Sequence, residues 1–390
     1  MTKRIGILFA GHAGAIASTV IAGTDLIKQG VSSKYGLLCE SPIKGDRRSI
    51  AERLELPLLS DLVFGGWDIR SSTIEESLRH HEVLSEKDIE KVSADVLNQR
   101  SMLVSRAANK GEWGQEIEGI RSDIRKFREK NQLNCIVVVN CISTQPTPVW
   151  SETYDSLGEF QESCCQGYDS VTSSMKYACA AVLESAGYIN FTPNLSAIPA
   201  IVTLAKEKGV PLAGRDGKTG QTFLKTVLAS ALNMRQLHIH GWYSTNILGN
   251  RDGEALSEKD AFQTKAMSKL ACLDEILGYE VDNHQVHIHH YPPRRDNKES
   301  WDNIDLQGFL GYSMQIKING LYRDSILAAP LILDMVRLMT ISIRMREGGL
   351  LEHLAVFFKC PEMSEETNVI HDFFKQYSLL EEWINKKIKY

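Results

Sequence analysis

Residues 4–29 read RIGILFAGHAGAIASTVIAGTDLIKQ, and this stretch decides the fold class. Arg4 to Phe9 is a short apolar run, Gly11 to Gly14 a glycine-bearing turn, and Ala15 to Gln29 a segment of helical composition. Strand, loop and helix in immediate succession open a βαβ unit. The spacing Gly11-x-x-Gly14-x-x-Ala17 lets the backbone approach a phosphate held at the helix N-terminus, where unpaired N–H groups point outward. It departs from G-x-G-x-x-G, and a tight turn between strand and helix explains it equally well.

The pattern continues outward from there. Residues 71–130 are charged and helix-rich, and they run into CIVVVN (135–140), a continuous apolar strand of the kind buried on both faces of a parallel sheet. Helix followed by strand then recurs in SMKYACAAVLESAGYIN (174–190), IPAIVTLAKEKGVPLAG (198–214) and TFLKTVLASALNMRQLHIHGWYS (222–244). This predicts an α/β protein with a Rossmann-like, doubly wound sheet. Near Gly241 the texture changes: LHIHGWY (237–243) and HQVHIHHY (284–291) read as strands flanking a helical segment over 258–277, the mark of an inserted α+β domain. The apolar APLILDMVRLMTISIRMREGG (329–349) is expected to be a long helix that returns to the first domain. The boundaries so read are 1–222 for the dinucleotide-binding segment, 223–327 for the α+β domain and 328–390 for the returning segment.

Composition narrows the function classes. A net charge of −5 without a long basic run gives no footprint for nucleic acid. Glycines interrupt the apolar N-terminus, and no other stretch approaches ~20 continuous apolar residues, so no membrane partner is expected. The eight cysteines (39, 135, 141, 164, 165, 179, 272 and 360) contain no C-x-x-C pair. That suggests neither a zinc site nor a disulfide framework, and it fits a reducing cytoplasm.

The stretch AGRDGKTGQTFLKT (213–226) superficially resembles a P-loop, but the glycine required five residues before Gly217-Lys218 is Leu212. Thr219, Gly220, Gln221 and Thr222 nevertheless open a helix, so their N–H groups and hydroxyls could grip a single phosphate. Lys265 and Lys269 lie four apart beside an apolar arc of Phe262, Leu270, Leu273, Ile276 and Leu277, a setting that lowers a lysine pKa unless the stem simply snorkels to water. His238 with His240, and His287 with His289, each share one face of a strand. No carboxylate sits beside them at a familiar ligand spacing, so they read as sheet histidines and no metal site is assigned.

Taken together these blocks resemble the myo-inositol phosphate synthase family over most of the chain. RDGKTGQT resembles the family's DDLKSGQT loop, YINFTPN its YINGSPQN, STNILGNRDG its SYNHLGNNDG and FQTKAMSK its FRSKEISK. LVFGGWDI precedes these blocks and RRDNK, RDSILAAPLILD and FFKCP follow them, in the family's order. The resemblance implies an isomerase that cyclises D-glucose 6-phosphate to 1D-myo-inositol 3-phosphate with bound NAD. It implies catalytic roles for Lys265, Lys298, Lys359, Asp296 and Asp324. The sugar phosphate would be bound by Lys269, Asn246, Asn250, Thr219, Gly220, Gln221 and Thr222. NAD would meet Gly11, Gly14, Ala15, Asp68, Ser143, Thr144, Thr192, Asp216, Asp252 and Ser325. It further implies a homotetramer built through the inserted domain, and it leaves a monovalent or divalent cation requirement open.

The chemistry so implied oxidises C5 to a ketone, makes the C6 protons acidic and closes the ring on the C1 aldehyde. Lysines would stabilise the developing oxyanions, with Lys265 assisting proton transfer, and their mutual repulsion is expected to lower at least one lysine pKa. The departures are AGHAGAIAS in the nucleotide loop, VNCISTQP for the family's LWTANTER block, Arg251 in GNRD, and Ile288-His289-His290 where the family has IKY. His289 and His290 are expected to reshape the pocket. A related cyclase acting on another hexose phosphate such as fructose 6-phosphate, and an NAD-dependent dehydrogenase with net redox, are the alternatives.

Overall fold

The structure, a computed structural model, describes residues 4–42, 47–104, 106–109, 111–249, 273–364 and 369–388. The apolar runs form β1 (Ile5–Ala10), β2 (Leu62–Asp68), β3 (Met102–Leu103), β4 (Cys135–Asn140), β5 (Gly187–Asn190) and β6 (Pro211–Gly214). They lie side by side in the order β3-β2-β1-β4-β5-β6, all parallel, and a late strand β11 (Gly349–Leu350) adds to the far edge beside β6. This is the doubly wound dinucleotide-binding order, in which the strand sequence, not the strand direction, reverses between β1 and β4. A crevice therefore opens above the carboxyl ends of those two strands.

Every residue of β1 and of β4 is buried, because helices cover both faces of the sheet. Alternation then sorts the side chains into two cores. Ile5, Ile7, Phe9, Val137 and Val139 pack on one side with the Ala15–Lys28 and Asp324–Met345 helices. Leu8, Ala10, Ile136 and Val138 pack on the other with the Gln115–Asn131, Ser173–Leu183 and Pro199–Lys208 helices. At ~1.5–3 kcal/mol per buried aliphatic side chain, the β1–β4 pair contributes to both cores.

The Asp324–Met345 helix is long and apolar enough to span a bilayer by length and composition, yet most of it is buried inside the protein. Its polar residues explain its place. Asp334 accepts the backbone N–H groups of Leu38 and Cys39 at 2.6 and 3.0 Å, and Arg337 reaches Glu40 and the Pro57 carbonyl at 2.7 and 2.9 Å. The chain between β1 and β2 is thereby tied onto this helix.

A second sheet follows β6 and its outgoing helix, Gly220–Met234. It comprises β7 (His238–Leu248), β8 (Asn283–His290), β9 (Asn297–Gln307) and β10 (Ser313–Arg323), in the order β10-β9-β7-β8. β7 and β8 run parallel, whereas β9 is antiparallel to both β7 and β10. Ile239, Trp242, Ile304 and Leu306 bury one face against Ala229 of the helix and against residues 273–277. The opposite face presents Tyr243, Trp301 and Leu321, each about half exposed or more. β10 ends at Arg323 and the long returning helix begins at Asp324 without a loop, which brings the end of the second sheet to the mouth of the crevice.

Candidate active site

The nucleotide half of the crevice is built from the β1 turn. Gly11 has φ +90°, and a Cβ there would lie 2.8 Å from the Cys141 carbonyl oxygen at the end of β4. The N–H groups of Gly11 and His12 both donate to the Trp67 carbonyl, at 2.9 and 3.0 Å. That of Ala13 donates to Asp68 Oδ2 at 2.9 Å. The carboxylate at the end of β2, the position that receives ribose hydroxyls in dinucleotide folds, thus also shapes the turn. Gly14 caps the Ala15–Lys28 helix without a side-chain hydrogen bond, leaving first-turn N–H groups for an anion. A glycine cradle, an uncapped helix start and an acid at the end of β2 fit NAD.

The other half joins two chain segments far apart in sequence. Residues 214–218 and 357–362 form a short ladder: Arg215 N to Cys360 O is 2.9 Å, Lys359 N to Asp216 O 2.7 Å and Lys218 N to Phe357 O 2.7 Å. Asp216 adopts a left-handed conformation, φ +61°, which Asp tolerates better than most residues. Its Oδ1 accepts from Lys359 Nζ at 2.8 Å. Opposite, Lys298 from β9 reaches Asp324 Oδ2 at 3.2 Å, and the Thr219 hydroxyl donates to Asp324 Oδ1 at 2.7 Å.

Electrostatics make this a balanced cluster. Burial opposes the charge of Asp324, but the Lys298 and Lys359 ammoniums outweigh it and hold the carboxyl below the usual carboxylate range. Burial likewise opposes the charge of Lys359, and Asp216 and Asp324 reverse the sign, so its pKa is raised. The expected lowering of a lysine pKa by crowding does not occur at Lys359, whose charge meets carboxylates before it meets another lysine; Lys265 and Lys269 lie outside the described residues. Lys359 is thus biased toward its charged form.

Asp296 lies behind the cluster, 4% exposed, with Ser325 Oγ donating to its Oδ1 at 2.8 Å and no hydrogen-bond partner at Oδ2. Burial pushes its carboxyl up to about 6; the neighbouring Asp324 adds to this and the Ser325 bond opposes it. A folded pKa above the unfolded one makes a stability contribution that is complete below about pH 4 and is lost as pH rises through about 6. Asp296→Asn removes that dependence. The variant should therefore gain about 1 kcal/mol relative to wild type between about pH 5 and pH 8. Urea denaturation at the two pH values measures it, and a pH-independent difference would refute the shift.

One continuous cavity of about 600 Å³ connects the two halves. Gly11, Gly14, Ala15, Asp68, Ser143, Thr144, Thr192, Asp216 and Ser325 line it, as do Thr219, Asn246, Lys298, Asp324 and Lys359. Gly220, Gln221 and Thr222 stand behind Thr219 and are buried, outside the wall. Asn250, Asp252, Lys265 and Lys269 lie outside the described residues. His289 stacks on His287, 6.4 Å between centroids, whereas Ile288 lines the cavity. The expectation that His289 reshapes the pocket is therefore corrected: alternation along β8 turns it to the other face. His290 is exposed at the strand end.

Sequence reasoning missed several wall residues: Arg70 and His81 near Asp68, and Phe191 and Pro193 beside Thr192. Arg70 was findable, two residues beyond the acid at the end of β2. The others carry no local signal.

Comparison with known proteins decides the family. The myo-inositol-1-phosphate synthase family, an NAD-binding family, matches residues 5–385. The chain belongs to the myo-inositol-1-phosphate synthase family. It is 37% identical to inositol-3-phosphate synthase 1 of Bacteroides thetaiotaomicron, covering 99% of this chain and 96% of that protein. Inositol-3-phosphate synthase of Dictyostelium discoideum is 28% identical over 97% of this chain and 84% of its own length. The fold matches the crystal structure of inositol-3-phosphate synthase from Caenorhabditis elegans with a TM-score of 0.89, at 24% identity, over all of this chain and 86% of that one. Membership in the synthase family makes this an NAD-binding protein, in keeping with its β1 turn.

Proposed function

We propose that this chain converts D-glucose 6-phosphate to 1D-myo-inositol 3-phosphate, an isomerisation without net redox. The carrying observation is that a single cavity runs from the β1 turn to the cluster of Lys298, Lys359, Asp216 and Asp324. NAD, when bound, supplies the temporary removal of hydride from C5. Gly11 to Ala15 and Asp68 would hold its phosphates and ribose, with Ser143, Thr144 and Thr192 along the β4 and β5 ends.

The chain's own residues do the rest. Lys359 and Lys298 face the substrate as fixed cations that stabilise oxyanions during enolisation and ring closure, a contribution of ~3–4 kcal/mol per well-placed donor. Asp324 keeps Lys298 and Thr219 in place. Asp296, with a carboxyl near 6, can exchange a proton close to neutral pH. Lys265 would assist proton transfer at C5, and Lys269 would neutralise the phosphate. A monovalent or divalent cation is part of the finer reading, and the unpartnered Asp296 Oδ2 is an oxygen suited to it. The protein would work in the cytoplasm as a homotetramer; the open face of the second sheet, with Tyr243, Trp301 and Leu321 exposed, supports self-association.

The test is incubation with glucose 6-phosphate and a trace of NAD, following absorbance and identifying the product by phosphorus NMR. An isomeric cyclitol phosphate without NADH accumulation is expected. Net NADH would instead establish a dehydrogenase, and turnover only with fructose 6-phosphate would redirect the substrate assignment.

A further inference from the structure

The wall residue Asn246 has an orientation that is set from behind the cavity. Asp302, on β9 two residues beyond Ser300 and 4% exposed, accepts three hydrogen bonds from neutral groups. Trp242 Nε1 and Ser244 Oγ donate to its Oδ1 at 2.9 and 2.7 Å, and Gln221 Nε2 donates to its Oδ2 at 2.8 Å. A carboxylate can only accept, so Gln221 turns its NH₂ toward Asp302 and its carbonyl the other way. That carbonyl, Oε1, accepts from Asn246 Nδ2. Asn246 is fully buried and lines the cavity, and its remaining polar atom, Oδ1, has no partner.

We propose that Asp302 is a positioning residue that sets the hydrogen-bond polarity of the sugar site, fixing Asn246 as an acceptor for one substrate hydroxyl. The direction passes along a chain of amides: acceptor at Asp302, donor then acceptor at Gln221, donor then acceptor at Asn246. Gln221 thereby serves the sugar through Asn246, its own amide being fully engaged. A buried acceptor left unpaired is costly, so a ligand lacking the matching hydroxyl is rejected. The inference rests on the proposed function for the identity of the sugar but not for the polarity itself.

Asp302→Asn tests it. The carbonyl of the substituted side chain can keep the Trp242 and Ser244 bonds while its NH₂ faces Gln221. Gln221 then flips, Asn246 flips in turn, and Nδ2 replaces Oδ1 as the free group at the cavity. Every internal bond survives the flip, so the melting temperature should stay within a few degrees of wild type. With 2-, 3- and 4-deoxyglucose 6-phosphate as probes, wild type should penalise one of them by about 10- to 100-fold in kcat/KM. In Asp302→Asn that penalty should collapse to within about threefold, with KM for glucose 6-phosphate raised about tenfold and NAD affinity unchanged. Ser244→Ala, which removes one bond but leaves Asp302 an acceptor, should retain the penalty.

A penalty that persists in Asp302→Asn, or that Ser244→Ala abolishes equally, overturns the proposal. Neutron diffraction from crystals of both proteins gives a reading independent of any substrate: Oδ1 of Asn246 toward the cavity in wild type and Nδ2 in the variant. The reverse orientation in wild type would overturn the relay even with the sugar assignment intact. Failure of wild type to turn over glucose 6-phosphate would instead strike the proposed function and leave the neutron result to judge the relay.

Discussion

Lys359→Met should lower turnover by about a thousandfold or more while the dissociation constant for NAD stays within about threefold. The ammonium sits on the catalytic side of the cavity, bonded to Asp216 at 2.8 Å, and both Asp216 and Asp324 raise its pKa against the effect of burial. In the proposed function it presents a cation, favoured by these two carboxylates, to oxygen atoms that become negative only in the transition states. Removing it withdraws stabilisation where charge develops, which reduces kcat more than it raises KM.

The same change leaves Asp216 and Asp324 short of a buried counter-charge. Stability should fall by about 3 kcal/mol, so thermal melts have to confirm a folded variant at the assay temperature. Lys359→Arg separates the two effects. It restores the charge, and with it most of the stability, but spreads it over a planar fork that does not reproduce the point contact, so much of the turnover loss should remain. Turnover within tenfold of wild type in Lys359→Met would remove this lysine from the reacting groups.

Gly11→Val should weaken NAD binding by about a hundredfold, equivalent to ~2.7 kcal/mol. A Cβ there would lie 2.8 Å from a main-chain oxygen, Cys141 O, in a segment whose Cys141 N is bonded to the Ala10 carbonyl at 2.8 Å. A β-branched residue at φ +90° adds strain of its own, on the order of 1–3 kcal/mol. The turn would shift away from β4, and the helix start at Gly14 would move with it. Titration of the purified variant with NAD by calorimetry measures the loss. Unchanged affinity would place the nucleotide elsewhere than above β1 and β4.

The contrast between these two positions shows what a chain discloses before it is folded. Gly11 belongs to a pattern that is local: an apolar run, a glycine turn and a helix occupy 25 consecutive residues, from Ile5 to Gln29, and neighbouring residues alone determine that reading. The doubly wound sheet was legible for the same reason, since each βα unit repeats the pattern. Gly11, Gly14 and Thr219 were reached by local pattern, whereas Lys298, Asp324, Asp216 and Lys359 were reached only through resemblance, because no spacing rule links Asp216 to Lys359 at a separation of 143 residues.

β9 shows why the rest was hidden. Its burial alternates as a strand should, but the alternation is inverted against hydrophobicity: Trp301 is 49% exposed and Asp302 is 4% exposed. Asp302 is one of 49 acidic residues and nothing adjacent to it marks it as buried. Its burial is tolerated only because Trp242, Ser244 and Gln221 converge on it from a neighbouring strand and from a helix. His289 is the converse case, a residue at a position that resembles a functional one, turned away from the cavity by the parity of its strand.

The amino-acid sequence by itself therefore determined the dinucleotide-binding sheet, its glycine turn and the membership of this chain in its family, all of which rest on short-range pattern and ordered motifs. The tertiary structure alone decided which charges neutralise one another, that the carboxylates around Lys359 raise its pKa, and that Asn246 donates to Gln221 while its Oδ1 is left without a partner. Those properties depend on distance and burial in a low-dielectric interior, where a few ångströms set the sign of a pKa shift and a single acceptor fixes the direction of every hydrogen bond behind it.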